Sequence, residues 1–285
     1  MLSTNYKILI ARFLSDKILL LRKLFGYSPE VVVVRKGVVW ALNLKEGIDF
    51  AIYLLGGFEV RTLKRYAELV KEGDIVLDIG ANVGAHTLPL AQLVGFEGKV
   101  YSFEPTAYAF VKQKANILLN PQLSSRIEAK QMMLVATSED PLPESIYSSW
   151  PLEVADDLHG EHRGRLMGTE GAIKRTLDDF VQSAGINKID FIKLDVDGNE
   201  NDILRGGKTI IEKFKPQIML ELAPYVYDET PDKFEQLLNE LWDMGYHFFD
   251  IATRRLLPKS VEKIRKIISP GSCLNVLAKV QGGSF

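Results

Sequence analysis

The sequence predicts an α/β protein whose mainly parallel sheet is covered by helices on both faces. From residue 74 onward, short runs that are almost continuously apolar alternate with segments of helical spacing. Strands that are apolar on both sides are typical of parallel sheets buried between two layers of helices. A chain of 285 residues, 46% hydrophobic and 25% charged, is long enough for one large domain of this kind and a small appendage.

The N-terminal appendage is predicted to contain a helix, a hairpin and a short cap. Residues 6–25 are apolar with basic residues at intervals, which predicts an amphipathic helix. Two valine-rich runs over 31–44 turn at Gly37, which predicts a β-hairpin. Residues 47–70 have mainly helical spacing, with a break at two glycines. We expect 1–66 to form a cap on a larger domain over 67–285.

The larger domain is predicted as strands alternating with helices, and the last two strands close the sheet. The predicted strands are 74–80, 99–105, 127–136, 191–198, 216–223, 246–251 and 274–280. The predicted helices are 86–94, 108–120, 176–185, 200–214 and 232–245, and Thr176 is a suitable N-cap for the third of them. Residues 138–174 are rich in loop signals and predict an insertion that serves as a lid on the substrate side.

Net charge, cysteine count and the length of uncharged runs argue against some classes of function. A formal charge of −2 gives no basic excess for neutralising phosphates, so we expect no nucleic acid partner. Cys273 is the single cysteine, which excludes an internal disulfide and is typical of the cytoplasm. No uncharged run in 6–25 reaches the ~18 residues of a membrane span. A basic amphipathic helix there can dock on the protein's own core, join subunits of a homo-oligomer, or lie on the inner membrane surface.

A glycine turn after the first strand of the larger domain is the most informative motif. Gly80 and Gly84 bracket Asn82, and both residue types tolerate the left-handed backbone of a tight turn. We expect the turn to direct free backbone N–H groups of the next helix toward a ligand at the carboxyl ends of the strands. Glu104 lies 20 residues beyond Gly84 at the end of the next strand, where a carboxylate accepts hydrogen bonds from ribose hydroxyls.

The turn favours S-adenosylmethionine over a nicotinamide dinucleotide. The dinucleotide spacing G-x-G-x-x-G is absent, and Asp78 precedes the turn where a pyrophosphate would be repelled. S-Adenosylmethionine has no phosphate and carries an ammonium and a sulfonium, so a nearby carboxylate suits it. A purely structural turn between strand and helix is the alternative.

Several segments together resemble the FkbM family of S-adenosylmethionine-dependent methyltransferases. They are DIGANVGAHTLPLA, FEPTAYAFVKQKANILLN, TLDDFV, FIKLDVDGNENDILRGG and KPQIMLELAP, in this order between residues 47 and 224. The resemblance implies the Rossmann-like class I methyltransferase fold, a seven-stranded sheet whose last strand runs antiparallel. It also implies a catalytic domain over 67–285 that methylates a hydroxyl of a sugar, a glycoconjugate or a related metabolite.

The resemblance further implies roles for single residues. Asp195 is expected nearest the methyl group that is transferred. The cofactor is expected to contact Asp78, Gly80, Ala81, Asn82, Gly84, Glu104, Pro105 and Met133. After the third strand this chain reads MMLVATSED, which departs from the Ala-Ala-Leu-Ser-Asp-like turn of many members.

The acceptor hydroxyl needs a base or a metal, since a protonated hydroxyl is a poor nucleophile. Asp195 at the end of the fourth strand is our candidate for a general base, and Lys193, two residues earlier, shares its side of the strand. Asp195 and Glu221 together could instead hold a divalent cation such as Mg²⁺. Asp197 and Glu221 are candidates for contacting the substrate, with helix capping as the alternative for Asp197 and for Glu200.

The insertion over 138–174 contains aromatic and imidazole groups that suit a glycan substrate. Trp150 can stack on a sugar face, and His159 or His162 can act as a base near neutral pH. A solvated surface loop is the alternative reading. His86, just after the glycine turn, is expected to be a packing residue.

The sequence thus predicts an O-methyltransferase that uses S-adenosylmethionine, with a small-molecule or glycan hydroxyl as its acceptor. A nicotinamide-dependent oxidoreductase is the rival enzyme. A non-catalytic assembly subunit that keeps the cofactor-binding fold is the rival from another class. We expect the protein in the cytoplasm, with residues 6–25 as the part that would contact a membrane or a second subunit.

Overall fold

A seven-stranded sheet forms the centre of the protein in the computed structural model, which describes residues 4–148, 151–152 and 164–280. The strands of these residues are β1 (Glu30–Arg35), β2 (Val38–Asn43), β3 (Ile75–Ile79), β4 (Lys99–Phe103), β5 (Ile127–Lys130), β6 (Met132–Leu134), β7 (Ser145–Ser148), β8 (Arg165–Gly168), β9 (Ile173–Arg175), β10 (Phe191–Leu194), β11 (Gln217–Leu222), β12 (Tyr246–Asp250) and β13 (Leu274–Val280). The central sheet has the order β12-β13-β11-β10-β3-β4-β5. β13 is antiparallel to both of its neighbours, while the other neighbouring strands are parallel. This confirms the predicted seven-stranded class I sheet with its antiparallel last strand.

Helices cover both faces of this sheet. The helices of the described residues are α1 (Thr4–Leu24), α2 (Gly47–Leu55), α3 (Val60–Leu69), α4 (Thr87–Leu93), α5 (Ala107–Leu118), α6 (Pro121–Ser124), α7 (Leu177–Ser183), α8 (Glu200–Gly206), α9 (Lys208–Phe214), α10 (Pro231–Asp243) and α11 (Val261–Ile267). Thr176 caps α7, as predicted, by accepting a hydrogen bond from the amide of Asp179 at 3.1 Å. None of these helices is both long enough and apolar enough to cross a membrane.

Alternation along the strands creates two buried clusters, one on each face of the sheet. Phe191 of β10 belongs to one cluster and Ile192 to the other, and Val76 and Leu77 of β3 divide in the same way. Successive side chains of a strand point to opposite faces, so a strand buried on both faces must be apolar throughout. The continuous apolar runs of the sequence have this origin.

The N-terminal hairpin is attached to the larger domain by two asparagines, Asn116 in α5 and Asn120 just after it. The amides of Val39 and Ala41 on β2 donate to the side-chain oxygens of Asn120 and Asn116, each at 2.9 Å. These bonds satisfy edge groups of β2 that would otherwise lack a partner. The hairpin turns at Lys36 and Gly37, both with positive φ, as expected for a two-residue turn. The predicted boundary between 66 and 67 falls inside α3 and stays a prediction.

Two segments differ from their predicted structure. The strand predicted over 127–136 is divided, because β5 ends at Lys130 and β6 pairs with β9 in a separate two-stranded sheet. An apolar run does not reveal where a strand changes its partner. The helix predicted over 200–214 is divided at Gly207, where a Cβ would lie only 2.8 Å from Leu177.

Candidate active site

A cleft opens at the carboxyl ends of β3, β4 and β10, with a cavity of about 380 Å³. A volume of this size is typical of small-molecule sites. Its walls include the turn after β3, residues 103–105 after β4, and residues 195–199 after β10. The cleft thus lies at the carboxyl ends of the strands, where the sequence predicts that a ligand binds.

The turn after β3 has the strained backbone that its glycines predicted. The φ angles of Gly80, Asn82 and Gly84 are 79°, 48° and 88°. A Cβ on Gly80 would lie 1.8 Å from the backbone oxygen of Asp195, so no other residue fits there. The turn of β3 is thus packed directly against the end of β10.

The backbone N–H groups of the turn itself are already bonded within the protein, and the prediction that those of the next helix face a ligand stays a prediction. Those of Gly80 and Ala81 donate to the oxygen of Phe103 at 3.1 and 2.9 Å. Those of Asn82 and Val83 donate to carboxylate and amide side chains, and that of Gly84 to the oxygen of Ala81. The left-handed residues turn these groups inward, so they shape the turn rather than bind a ligand.

Glu104 is a buried carboxylate held in one orientation at the cleft wall. Its Oε2 accepts from the amide of Asn82 at 2.9 Å, and its Oε1 accepts from the amide and hydroxyl of Thr106 at 2.8 and 2.5 Å. Burial raises the pKa of Glu104, and these hydrogen bonds act against that rise. Three of its roughly four acceptor directions are occupied, which leaves Oε2 one direction for a ligand hydroxyl.

Asp78 lies behind the turn, fully buried, where it is bonded to the protein. Its Oδ2 accepts from the hydroxyl of Thr87 at 2.6 Å, and its Oδ1 lies 3.9 Å from Nζ of Lys193. Burial raises the pKa of Asp78, and Lys193 counters the effect. Gly84 likewise packs behind the turn, against Gln113 of α5. The predicted contact of these two residues with a cofactor stays a prediction.

Lys193 and Asp195 form the ion pair that their shared side of β10 predicted. Nζ of Lys193 lies 3.2 Å from Oδ2 of Asp195 and donates to the oxygen of Gly80 at 3.1 Å. Burial alone would lower the pKa of Lys193, but Asp195 and Asp78 raise it above its ordinary value. Lys193 is therefore a permanent positive charge in the wall of the cleft.

Asp197 lies in the cleft with a left-handed backbone, at φ 49°. Its side chain is exposed to the water of the cleft. Desolvation, with the charges of Asp195 and Glu200, raises the pKa of Asp197 to about 8. The N-cap of α8 is Asn199, two residues later, and the alternative that the charge of Asp197 favours the start of this helix stays a prediction.

Glu200 has a structural role at the start of α8. Its Oε1 accepts from the amides of Val196 and Gly198 at 3.2 and 3.4 Å, and Tyr227 donates to its Oε2. The buried side chain thereby closes the turn that carries Asp197. These contacts support the structural interpretation of Glu200, a role at the start of its helix, that the sequence offered.

Glu221 and Glu59 add negative charge beside Asp195. Burial raises the pKa of Glu221, and the charges of Asp195 and Glu59 raise it further. Burial and Asp195 also raise the pKa of Glu59, whose Oε1 accepts from the side chain of Asn275 at 2.8 Å. Among the described residues, no three His, Cys, Asp or Glu side chains are arranged to hold a metal ion. The predicted pair of metal ligands, Asp195 and Glu221, stays a prediction.

The insertion contributes one wall of the cleft. Ile146, Tyr147 and Ser148 of β7 line it, and the side chain of Asn82 donates to the hydroxyl of Ser148 at 3.3 Å. Met133 and Pro105 also line the cleft, as does Ala81. Trp150, His159 and His162 lie outside the described residues.

His86 lines the cleft, a position that the sequence did not reveal. Its Nδ1 lies 2.8 Å from the hydroxyl of Tyr66, and its Nε2 lies 3.7 Å from Glu59. Burial and the charge of Lys193 lower the pKa of His86 well below its ordinary value, so the ring is neutral. Tyr66 and Glu59 are brought to His86 from α3 and its N-terminus, which no local pattern indicates.

The cleft as a whole suits a ligand that carries positive charge. Lys193 is a cation among seven carboxylates that lie around the cleft and behind its walls: Glu59, Asp78, Glu104, Asp195, Asp197, Glu200 and Glu221. Oδ1 of Asp78 has no hydrogen-bond partner although it is buried. A sulfonium or ammonium group would stabilise the ionised carboxylates. The residues present thus fit S-adenosylmethionine.

Comparison with known proteins places this cleft in a family. The family model described as Methyltransferase FkbM domain matches residues 78–248, which include all the strand ends that form the cleft. Hexuronic acid methyltransferase AglP of Haloferax volcanii is 25% identical over 184 residues, 64% of this chain and 65% of that protein. 2-O-Methyltransferase NoeI of Sinorhizobium fredii is 25% identical over 178 residues, 58% of this chain and 66% of that protein.

The similarity to these two relatives is partial, since it spans slightly less than two thirds of each. Methyltransferase sdnD of Sordaria araneosa is 26% identical over 199 residues, 56% of this chain and 76% of that protein. Among solved structures, that of Methyltransferase FkbM from Methylobacillus flagellatus KT has a TM-score of 0.44 and 16% identity, covering 76% of this chain and 50% of that one. The strand order, rather than this overlap, defines the fold.

Proposed function

The chain belongs to the FkbM methyltransferase family, and we propose that it transfers a methyl group from S-adenosylmethionine to a hydroxyl of a sugar, a glycoconjugate or a related metabolite. One observation carries the proposal. The cleft at the carboxyl ends of β3, β4 and β10 is surrounded by carboxylates whose pKa values are raised by burial and by one another. The relatives named for hexuronic acid and for 2-O-methylation support a sugar hydroxyl as acceptor.

The cofactor would lie across the turn after β3 and the end of β4. Glu104 is held so that Oε2 keeps a free direction for a ribose hydroxyl. Phe103, Met132 and Met133 supply an apolar wall for a flat base. The methionine part would lie toward Gly80, Ala81 and Asn82, whose conformation is fixed by bonds within the protein.

The chemistry needs a hydroxyl oxygen in line with an electrophilic methyl group. S-Adenosylmethionine supplies that methyl group on its sulfonium. The chain supplies the position and the proton acceptor, and effective alignment accounts for much of the acceleration in such reactions. Lys193 holds Oδ2 of Asp195 and leaves Oδ1 to take the hydroxyl proton.

Asp197 and Glu221 would act on the acceptor from either side of Asp195. Asp197 lines the cleft and has a pKa of about 8, so both its protonated and its ionised forms are populated near neutral pH. Either form would hydrogen-bond a substrate hydroxyl. Glu221 ends the neighbouring strand β11. A divalent cation between Asp195 and Glu221 is the alternative means of activating the hydroxyl, and removal of metal distinguishes the two.

The test combines ligand binding with turnover. Thermal unfolding would be followed with S-adenosylhomocysteine, S-adenosylmethionine and NAD, each with Mg²⁺ and with EDTA. A ligand at 100 times its Kd stabilises by about 2.7 kcal/mol, which raises Tm by roughly 5 °C for a chain of this size. Labelled S-adenosylmethionine would then be offered with uronic acids and neutral glycosides. Stabilisation by the two adenosyl compounds and label in a sugar ether are expected.

Other outcomes would assign a different function. Stabilisation by NAD alone would indicate the oxidoreductase. Stabilisation by the adenosyl compounds, without transfer to any hydroxyl in a broad acceptor panel, would indicate the non-catalytic subunit. Turnover that is lost in EDTA and restored by Mg²⁺ would replace the carboxylate base by a metal.

A further inference from the structure

Helix α1 is apolar on two opposite faces, and one of them has no partner within the described chain. On the inner face, Ala11, Ile18 and Leu19 pack against the small cluster of Leu44, Phe50 and Leu152. On the outer face the side chains are between 54% and 72% exposed: Tyr6, Leu9, Phe13, Leu20, Leu21 and Leu24. A helix that only covered its own domain would need one apolar face.

The exposed apolar surface continues beyond the helix. Tyr27 follows it and is 65% exposed. The three elements α1, β1 and α2 meet in one place, because Val31 and Tyr53 join the cluster under α1. Exposed apolar patches of this extent usually mark a surface that binds something.

The charge on this surface identifies its partner. The sequence of α1 holds five basic residues and one acidic residue, although the whole chain has a net charge of −2. Nζ of Lys17 lies 5.5 Å from the ring centroid of Phe13, in the middle of the outer face, and Arg22 lies at the same distance from the ring of Tyr27. Long basic side chains beside apolar ones are typical of helices that lie in a membrane interface.

We propose that the outer face of α1, together with Tyr27, binds the surface of an anionic lipid bilayer. The apolar side chains enter the interface, and the basic groups meet the lipid headgroups. A second copy of the chain is a poorer partner, since a two-fold contact through α1 would bring the same basic side chains together. The proposal does not depend on methyl transfer.

Membrane binding through α1 would set the position of the cleft. Arg12 of α1 donates to the backbone oxygen of Leu152 within the insertion, and the neighbouring Pro151 forms a β-bridge with Glu46. Ile48, two residues further, lines the cleft. The helix and the cleft therefore share one supporting segment, and an acceptor at the membrane surface would be within reach.

The experiment is flotation of the full chain with vesicles of phosphatidylcholine alone and of phosphatidylcholine mixed with phosphatidylglycerol. We expect binding to the mixed vesicles only, weakening as salt is added. Each lysine near such a surface contributes about 1 kcal/mol, or about fivefold, so Lys17→Gln with Lys23→Gln should lower the partition coefficient by roughly 25-fold. Leu24→Asp should lower it by more than about tenfold.

The matched control is Leu118→Asp on α5, because Leu118 is 74% exposed and Leu24 is 72% exposed. Its binding should equal that of the unaltered chain, and all variants should keep the same Tm. Equal binding to both kinds of vesicle, or binding that survives Leu24→Asp, would overturn the proposal. A dimer in sedimentation experiments that Leu24→Asp dissociates, with no vesicle binding, would assign the face to a second copy instead.

Discussion

The two halves of the cleft are built in opposite ways. The turn half consists of residues 80–84 and Glu104. Each backbone N–H of the turn has a hydrogen-bond partner within the protein, and the carboxylate of Glu104 accepts three hydrogen bonds. In the carboxylate half, Asp195 and Asp197 lie beside further acidic groups, with Lys193 as their shared cation. The turn half is complete without a ligand, whereas the carboxylate half is stabilised when positive charge arrives.

The turn half therefore provides a fixed shape, and the carboxylate half provides charge that responds to a ligand. A turn whose hydrogen bonds are internal can present a fixed surface, because nothing in it must rearrange on binding. Carboxylates held close together respond to a ligand through their pKa values, since an added cation favours their ionised forms. We therefore expect substitutions in the turn half to change stability and binding together, and substitutions in the carboxylate half to change turnover and its pH dependence.

The largest effect is expected for Asp195→Asn. The amide keeps the shape of the side chain but cannot take the hydroxyl proton, so kcat should fall by about 10³-fold. The Kd for S-adenosylhomocysteine, measured by calorimetry, should stay within about threefold, because the turn half is unchanged. Asp232→Asn, at an exposed position of α10, is the control and should retain full activity. Full turnover of Asp195→Asn would remove Asp195 from the reaction.

Gly80→Ala should have the next largest effect. We expect it to lower both the stability of the fold and the affinity for S-adenosylhomocysteine. The new Cβ would collide with the backbone oxygen of Asp195 at 1.8 Å, in a residue with φ 79°. The left-handed backbone costs about 1–2 kcal/mol for alanine, and overpacking costs a further 1–3 kcal/mol. Denaturant unfolding should show a loss of about 3 kcal/mol, with binding of S-adenosylhomocysteine weakened about 100-fold.

Gly185→Ala separates the two contributions of that substitution. Gly185 also has a positive φ, 65°, but no atom lies within 4 Å of its added Cβ. Its loss should therefore be about 1 kcal/mol, with unchanged ligand binding. If both alanine variants lose the same free energy of unfolding, the contact between the turn and Asp195 is not what requires glycine at position 80.

The same division explains what the sequence could predict. The fold and the turn half follow from local patterns, since DIGANVG and FEP contain within a few residues the groups that form them. The ion pair of Lys193 with Asp195 was also predictable, because residues two apart on a strand share a side. The local pattern does not reveal what the turn's own N–H groups bond to, because their acceptors include Phe103 and Glu104 at the end of β4 and just after it.

The rest of the cleft is built by contacts between distant parts of the chain. Glu59 and Tyr66 reach His86 from an N-terminal helix, and Ser148 reaches Asn82 from the insertion. The pKa of Asp197 is raised by desolvation in the cleft and by the charges of Asp195 and Glu200, and the sequence spacing of these residues does not reveal how close they lie. The sequence contains these residues but does not reveal which of them lie close together in the folded chain.

A smaller effect is expected in the pH dependence that Asp197 produces. Its folded-state pKa of about 8 lies above the ordinary value of about 3.9, so the folded chain holds a proton that the unfolded chain releases. Its contribution to stability is therefore full at low pH and is lost as pH rises through about 8. Unfolding at pH 6.5 and 8.5 should show Asp197→Asn less sensitive to pH than the unaltered chain, and relatively more stable at pH 8.5.

Ligand binding provides a second measurement on Asp197. A sulfonium favours the ionised carboxylate, so the affinity for S-adenosylmethionine should rise about threefold to tenfold between pH 6.5 and 8.5, with solvent in the open cleft limiting the effect. S-Adenosylhomocysteine lacks that charge and is the matched control. Equal pH dependence for the two ligands would show that the carboxylate half does not sense the sulfonium.

The smallest effect is expected at Ser148, the contact that joins the turn half to the insertion. The hydrogen bond from Asn82 is long, at 3.3 Å, so it should contribute at the low end of about 0.5–1.5 kcal/mol. Ser148→Ala should raise the KM for S-adenosylmethionine about twofold and leave kcat unchanged, because it loosens the wall without touching Asp195. Ser145→Ala, at the other end of β7, is the control. A large fall in kcat for Ser148→Ala would instead mean that the insertion positions the reacting groups, and the turn half would not be complete in itself.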